Sequence, residues 1–232
     1  MSESRVIVAL DFPKADAALK LALTLNPALC KVKVGKELFV SAGPDIVEKL
    51  ARLGFDVFLD LKFHDIPNTI ASACRAAANL GAWMINVHVT GGRAMLDAAR
   101  KAVPGPQPKL VAVTLLTSLT SDDLNDLGIA GGHDAVVLRW AKLAHECGLD
   151  GVVCSPLEAA MLKQSLGKVF LTVTPGIRLG ESRDDQKRVS TPIQAIEYGA
   201  DYIVIGRPVT EAKNPYEVLC DINQQIEVSL TK

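Results

Sequence analysis

The chain has 232 residues, enough for one large or two small domains, and α/β barrels commonly run to this length as a single domain. Hydrophobic residues make up 49% of it, so a sizeable core can form. With 25 basic and 26 acidic residues the formal net charge is −1, which supplies no bulk field for nucleic acid or an anionic membrane.

Short Val- and Ile-rich runs alternate with longer amphipathic segments. The first run, RVIVALD (5–11), precedes a helical pattern over 14–25. The second, LCKVKVG (29–35), precedes a helix over 43–54 that ends in a glycine C-cap candidate. The third, DVFLDLK (56–62), leads to a helix over 70–81, and the fourth, WMINVHV (83–89), to one over 93–103. The fifth, KLVAVTLL (109–116), opens a longer excursion closed by a helix over 134–148. The sixth, DGVVCS (150–155), precedes a helix over 156–167. The seventh, KVFLTVTP (168–175), enters a long polar loop (174–192), and a helix over 191–200 follows. The eighth, DYIVIG (201–206), precedes a last helix over 214–230.

Eight such units predict a (β/α)8 TIM barrel, with residues 1–232 as one domain. An open doubly wound sheet would call for a G-x-G-x-x-G turn after its first strand, and DFPKAD stands there instead. No apolar run reaches the roughly 18 residues of a membrane span. The start, MSESRVIVALDF, lacks the basic and apolar regions of a secretory signal. The five cysteines, Cys30, Cys74, Cys147, Cys154 and Cys220, are odd in number and have no zinc-site spacing. They read as reduced core thiols of a cytoplasmic protein.

Strand side chains alternate faces. In the third run Val57, Leu59, Leu61 and Phe63 are apolar and belong against the helices, which sends Asp60 and Lys62 into the barrel. The same parity sends Lys31 and Lys33 inward on the second run, and Asn86 and His88 inward on the fourth. The first run ends at Asp11, on the face of Ile7 and Ala9. Polar residues at strand ends then gather at one rim: Asp11, Lys33, Asp60, Lys62, His88, Thr117, Ser155, Arg178 and Arg207. That rim is where barrels of this kind build active sites. Alternating acids and bases in a partly dry pocket seldom add net stability, so the set points to function.

The loops after the seventh and eighth strands suit a phosphate. IVIGRPVT (203–210) offers Gly206 for close backbone approach and Arg207 as a forked donor. The loop over 174–192 adds Arg178, Arg183, Gln186 and Arg188, and its length suggests a lid.

On these residues the chain resembles the orotidine 5'-monophosphate decarboxylase family along essentially its whole length. The resemblance rests on ALDF, KVGKELF, FLDLKFHDIPNT, NVHVTGG, LLTS, GVVCS, TPGIR and IGRPVT, in that order. The stretch DLKFHDIPNT is specific for the bacterial branch, whereas bare D-x-K-x-x-D also occurs in the metal-dependent sugar-phosphate lyases of the same barrel superfamily. Those relatives carry an acidic residue where this chain has Lys33, which argues against a metal.

The resemblance implies that Asp11 and Lys33 bind the ribose hydroxyls, with Lys33 also joining the charge network. It implies that Asp60 lies against the substrate carboxylate and that Lys62 donates the proton. Asp65 and Thr69 would reach into the neighbouring subunit's site of a homodimer. Thr117 would contact the pyrimidine. Gln186 and Arg207 would bind phosphate, with Arg178 and the Gly206 amide nearby. No cofactor is implied.

The chemistry fits those residues. Loss of carbon dioxide from C6 of orotate leaves a vinyl carbanion outside the ring π system, with no delocalised sink. An ammonium held where that charge develops stabilises it, and Lys62, set between Asp60 and Asp65, is the candidate. The competing readings are a metal-dependent sugar-phosphate decarboxylase or aldolase and a non-catalytic nucleotide-phosphate binding protein. His64 is expected to shape its loop, His88 to orient a rim residue, and His133 and His145 to lie at the surface or in the core.

Overall fold

The computed structural model describes residues 3–179 and 190–230. Eight strands close into a barrel in chain order: β1 (Val6–Ala9), β2 (Lys31–Gly35), β3 (Val57–Phe63), β4 (Met84–His88), β5 (Lys109–Val113), β6 (Gly151–Val153), β7 (Leu171–Thr174) and β8 (Tyr202–Ile205). Every neighbouring pair is parallel, including the closing pair of β1 with β8. The helices are α1 (Ala15–Ala22), α2 (Lys36–Ala42), α3 (Asp45–Arg52), α4 (Pro67–Asn79), α5 (Gly92–Ala102), α6 (Ser121–Asp126), α7 (His133–Glu146), α8 (Pro156–Leu166), α9 (Pro192–Glu197), α10 (Arg207–Thr210) and α11 (Pro215–Leu230). The (β/α)8 barrel expected from the alternation is the observed architecture.

Period-two patterning divides the strand residues between two cores. Ile7, Ala9, Phe58, Met84, Val111, Val173 and Val204 fill the barrel itself. Val6, Val8, Val32, Val34, Val57, Leu59, Ile85 and Val87 face the helices. These side chains are buried in both cores, and burying side chains of this size stabilises by about 1.5–3 kcal/mol each.

The two inward lysines of β2 serve opposite ends of the barrel. Lys31 lies at the floor, where its ammonium sits 2.9 Å from Glu3 and 3.3 Å from Asp56. It also lies over the rings of Trp83 and Tyr202, at 4.8 and 5.7 Å from their centroids. Lys33, two residues on, rises to the mouth. Parity puts both in the same interior, and only their height along the strand separates a structural plug from a site residue.

Several elements differ from the sequence reading. Helix α2 begins directly after β2, where no helix was expected, and α6 lies inside the long fifth connection. Helix α6 has a legible start: Thr120 and Asp123 form a reciprocal capping box. The strands at β5, β6 and β7 are shorter than their apolar runs. Leu115 explains the first of these, since it is buried beyond the last ladder residue and so extends the apolar pattern into the loop. All five cysteines are free; Cys30, Cys74, Cys147 and Cys154 are buried and Cys220 partly so. Among the described residues no helix is long and apolar enough to cross a membrane.

Candidate active site

A cavity of about 640 Å³ opens at the C-terminal mouth of the barrel. Its floor is the top of the barrel core, with Ala9, Val113, Val153 and Val204. Its polar wall contains Asp11, Lys33, Asp60, Lys62, Thr117, Arg178, Gly206 and Arg207. Eight of the residues singled out from the sequence therefore converge on one space.

Four of them form a chain of alternating charge. Lys33 Nζ donates to Asp11 Oδ1 at 2.9 Å and lies 3.3 Å from Asp60 Oδ2. Lys62 Nζ donates to the other oxygen, Asp60 Oδ1, at 2.6 Å. The side chains of Lys33 and Asp60 are each 10% exposed, whereas that of Asp11 is 61% exposed. The chain thus runs from a wet acid at the rim to a dry carboxylate within. Burial opposes the Lys33 ammonium, but the charges of Asp60 and Asp11 outweigh it and hold its pKa above the ordinary lysine value. Burial likewise opposes the Asp60 carboxylate. Lys33 and Lys62, helped by hydrogen bonds from Lys62 and Asn86, hold its pKa below the ordinary range.

The Gly35 backbone lies close against this network. A Cβ there would lie 3.0 Å from Asp11 Oδ1 and 3.2 Å from Lys33 Nζ, so any larger residue would push on the first ion pair. No turn signal marks Gly35 in the sequence.

Lys62 reaches the cavity through an irregular backbone. Its φ is +53°, the sole positive φ among the described non-glycine residues. Such a conformation costs roughly 1–3 kcal/mol and persists only where the surroundings enforce it. The ladder between β3 and β4 breaks here: Leu59 pairs with Ile85, and the next partners are Phe63 and Val87. Four positions on β3 thus span two on β4. The surplus is even, so Asp60 and Lys62 still share a face and Leu61 and Phe63 still pack on the outer core.

Asn86 fills the gap. It is fully buried, donates to Asp60 Oδ1 at 2.7 Å and accepts the Lys62 backbone N–H at 2.7 Å. His88, two residues further along β4, lies with its ring 5.5 Å from that of His64. Burial, and then the neighbouring His64, Lys36 and Lys62, lower the His88 pKa to about 4, so the ring is neutral at neutral pH. His133 Nε2 donates to the Leu119 carbonyl at 3.0 Å, and His145 stacks edge-on to Phe170.

Asp65, Thr69 and Ser155 are not in the cavity wall. Asp65 does not flank Lys62 within the chain. It is exposed in the loop after β3, where its Oδ1 accepts the Ile66 N–H at 2.6 Å. It does not line the cavity, and of the two expected carboxylates Asp60 is the one paired with Lys62. Thr69 is exposed in the first turn of α4. Ser155 caps α8, its N–H donating to Glu158 Oε2 at 2.8 Å, and is not part of the cavity wall. Arg178 is largely buried, with Nη1 donating to the Ile177 carbonyl at 2.9 Å. Arg207 is exposed at the first position of α10, directly after Gly206. Gln186, Arg183 and Arg188 lie outside the described residues.

Residues 4–222 match the model of the orotidine 5'-phosphate decarboxylase / HUMPS family. The chain belongs to this family. A relative from Nitrosomonas eutropha, named orotidine 5'-phosphate decarboxylase, is 58% identical over 99% of this chain and 100% of its own. A relative of the same name from Chromobacterium violaceum is 58% identical over 99% of this chain and 94% of its own. Among solved structures, the orotidine 5'-phosphate decarboxylase of Lactobacillus acidophilus is 40% identical with a TM-score of 0.86, covering 96% of this chain and 99% of that one. That of Pyrococcus horikoshii OT3 is 25% identical with a TM-score of 0.78, over 96% and 99%.

Within the family frame, two site features escaped the sequence reading as site residues. Asn86 was legible as an inward polar residue on an otherwise apolar strand, but its partners were not. Gly35 lies within the stretch KVGKELF, but its closeness to the ion pair was not legible there.

Proposed function

We propose that this protein decarboxylates orotidine 5'-monophosphate to UMP without a cofactor, the last step of de novo pyrimidine synthesis. The observation that carries the reading is the Asp11–Lys33–Asp60–Lys62 network, which holds one ammonium at the wall of a nucleotide-sized cavity. In this reading the bond from C6 to the carboxyl carbon breaks and carbon dioxide departs. The electron pair stays on C6, and a proton of Lys62 Nζ moves to it. The ammonium stabilises the carbanion electrostatically as it forms, because it is preorganised before the charge develops. Asp60 orients both lysines. Asp11 and Lys33 take the ribose hydroxyls, Thr117 the pyrimidine, and Arg207, Gln186 and the Gly206 amide the phosphate, with Arg178 beside them. Phosphate is remote from C6, so its binding energy serves to assemble the site rather than to react.

The exposure of Asp65, Ile66 and Thr69 supports a homodimer in which Asp65 and Thr69 complete the neighbouring subunit's site. The reading treats residues 1–232 as one cytoplasmic barrel domain whose partners are the nucleotide and a second copy, with neither nucleic acid nor membrane. Metal-dependent sugar-phosphate chemistry fits less well. The Lys33 ammonium occupies the space between the Asp11 and Asp60 carboxylates, at 2.9 and 3.3 Å, where a cation would otherwise have to sit.

The test is the fall in ultraviolet absorbance when orotidine 5'-monophosphate is added in EDTA. Turnover is expected in the wild type, and Lys62→Ala should abolish it while still binding UMP in calorimetry. Substantial residual turnover in that variant would remove Lys62 as proton donor, and a strict need for added divalent metal would overturn the reading itself.

A further inference from the structure

Asn86 neither lines the cavity nor reaches solvent, yet both ends of its amide meet the catalytic pair. The orientation of the amide is unambiguous. Its partner on one side is a carboxylate oxygen, which only accepts, and on the other a backbone N–H, which only donates. The surrounding barrel interior is apolar: Phe58, Met84 and Val111 are its neighbours in the same core. A buried amide in such a layer is unfavourable unless every polar atom is satisfied.

The irregular backbone explains why an amide is present. The register break between Leu59 and Phe63 takes Lys62 out of the β3–β4 ladder and leaves its N–H without a strand carbonyl. The Asn86 side-chain carbonyl replaces that partner. The Asn86 NH2 group then meets Asp60 Oδ1, the same oxygen that receives Lys62 Nζ. One side chain thus joins the main chain of Lys62 to the carboxylate that aims its ammonium.

We infer that Asn86 is a positioning residue for the reaction, a clasp that holds the left-handed backbone of Lys62 and the carboxylate of Asp60 as one rigid unit. The inference rests on the proposed decarboxylation. Lys62 delivers a proton to a carbon, so its reach and direction are set by where its backbone is pinned. Without the clasp, Lys62 can relax toward an ordinary strand conformation, and Asp60 loses a donor that favours its charged form.

The experiment compares the wild type with Asn86→Ala and Asn86→Asp in steady-state kinetics across pH, with UMP affinity by calorimetry and folding by thermal denaturation. A wild type that does not decarboxylate orotidine 5'-monophosphate refutes the proposed function, so failure of that reading and failure of this one remain distinguishable. In folded Asn86→Ala, kcat should fall about 10²-fold, the usual effect of an ångström-scale misplacement, while UMP affinity is retained. The acid limb of its kcat/KM profile should move to higher pH, because Asp60 protonates more readily without the Asn86 donor.

Asn86→Asp is nearly isosteric and carries the test alone if the alanine variant does not fold. It keeps an acceptor for the Lys62 N–H but sets two carboxylates in contact. Such a pair shares one proton, which raises one pKa. Its activity relative to wild type should therefore recover as pH falls from neutral, because protonation restores a hydrogen bond to Asp60. A flat ratio across pH, or wild-type kcat in either folded variant, overturns the inference and leaves Asn86 a satisfied core residue.

Discussion

Asp60→Asn removes one charge from the centre of the network with almost no change in volume. Three donors converge on that carboxylate: Lys62 at 2.6 Å, Asn86 at 2.7 Å and Lys33 at 3.3 Å. After the change the buried Lys33 ammonium keeps only Asp11, whose side chain is 61% exposed and therefore screened. Breaking a buried pair by removing one partner costs about 3–5 kcal/mol. Because Asp11 remains at 2.9 Å, the lower end, about 3 kcal/mol, is expected. With a urea m-value of about 3 kcal/mol per molar for a chain of this size, the midpoint should drop by about 1 M.

The pH dependence follows from the direction of the Asp60 shift. Its pKa is lower in the folded chain than the ordinary value of about 3.9. Its contribution is therefore complete above that value and is lost as pH falls through the folded-state pKa. The stability gap between wild type and Asp60→Asn should be full at neutral pH and close in strong acid. Urea titrations monitored by circular dichroism at several pH values measure it. An unchanged midpoint at neutral pH, or a gap that persists unchanged in strong acid, would refute the view that Asp60 neutralises Lys33 and Lys62.

Two further outcomes bear on the substrate contacts. Arg207→Ala should raise KM for the phosphorylated substrate by roughly tenfold or more, the equivalent of one lost charge-assisted contact of about 1.5–3 kcal/mol, with little change in stability because Arg207 is exposed. Unchanged kinetics would take Arg207 out of the site. Mixing inactive Lys62→Ala chains with inactive Asp65→Ala chains should restore activity, since a hybrid dimer contains one site with both residues intact. No recovery despite verified subunit exchange would mean that Asp65 acts within its own chain.

Much of this architecture is local and therefore legible in the chain. Eight Val- and Ile-rich runs alternating with amphipathic segments lead to the barrel, because each strand must bury one face inside and one against a helix. The same period of two sends Asp11, Lys33 and Asp60 inward, and rim position follows from their place at the strand ends. Helix α2 was not legible. Its seven residues follow β2 without a loop, and its Gly35 N-cap makes no side-chain cap bond, so no polar capping signal marks its start.

What the sequence by itself determined is which residues face the barrel; what the tertiary structure decided is how they meet there. Lys31 and Lys33 obey the same parity, and only strand height and the Trp83–Tyr202 floor make one a plug and the other a site residue. Lys62 also obeys it, but through a register break of even size that hides in the pattern. Its positive φ exists because Asn86, twenty-four positions away, supplies the missing acceptor. Alternation is a property of one strand, and a ladder break is a property of two. For that reason the clasp, and the tight space that Gly35 leaves to Asp11 and Lys33, are visible only once the strands are paired.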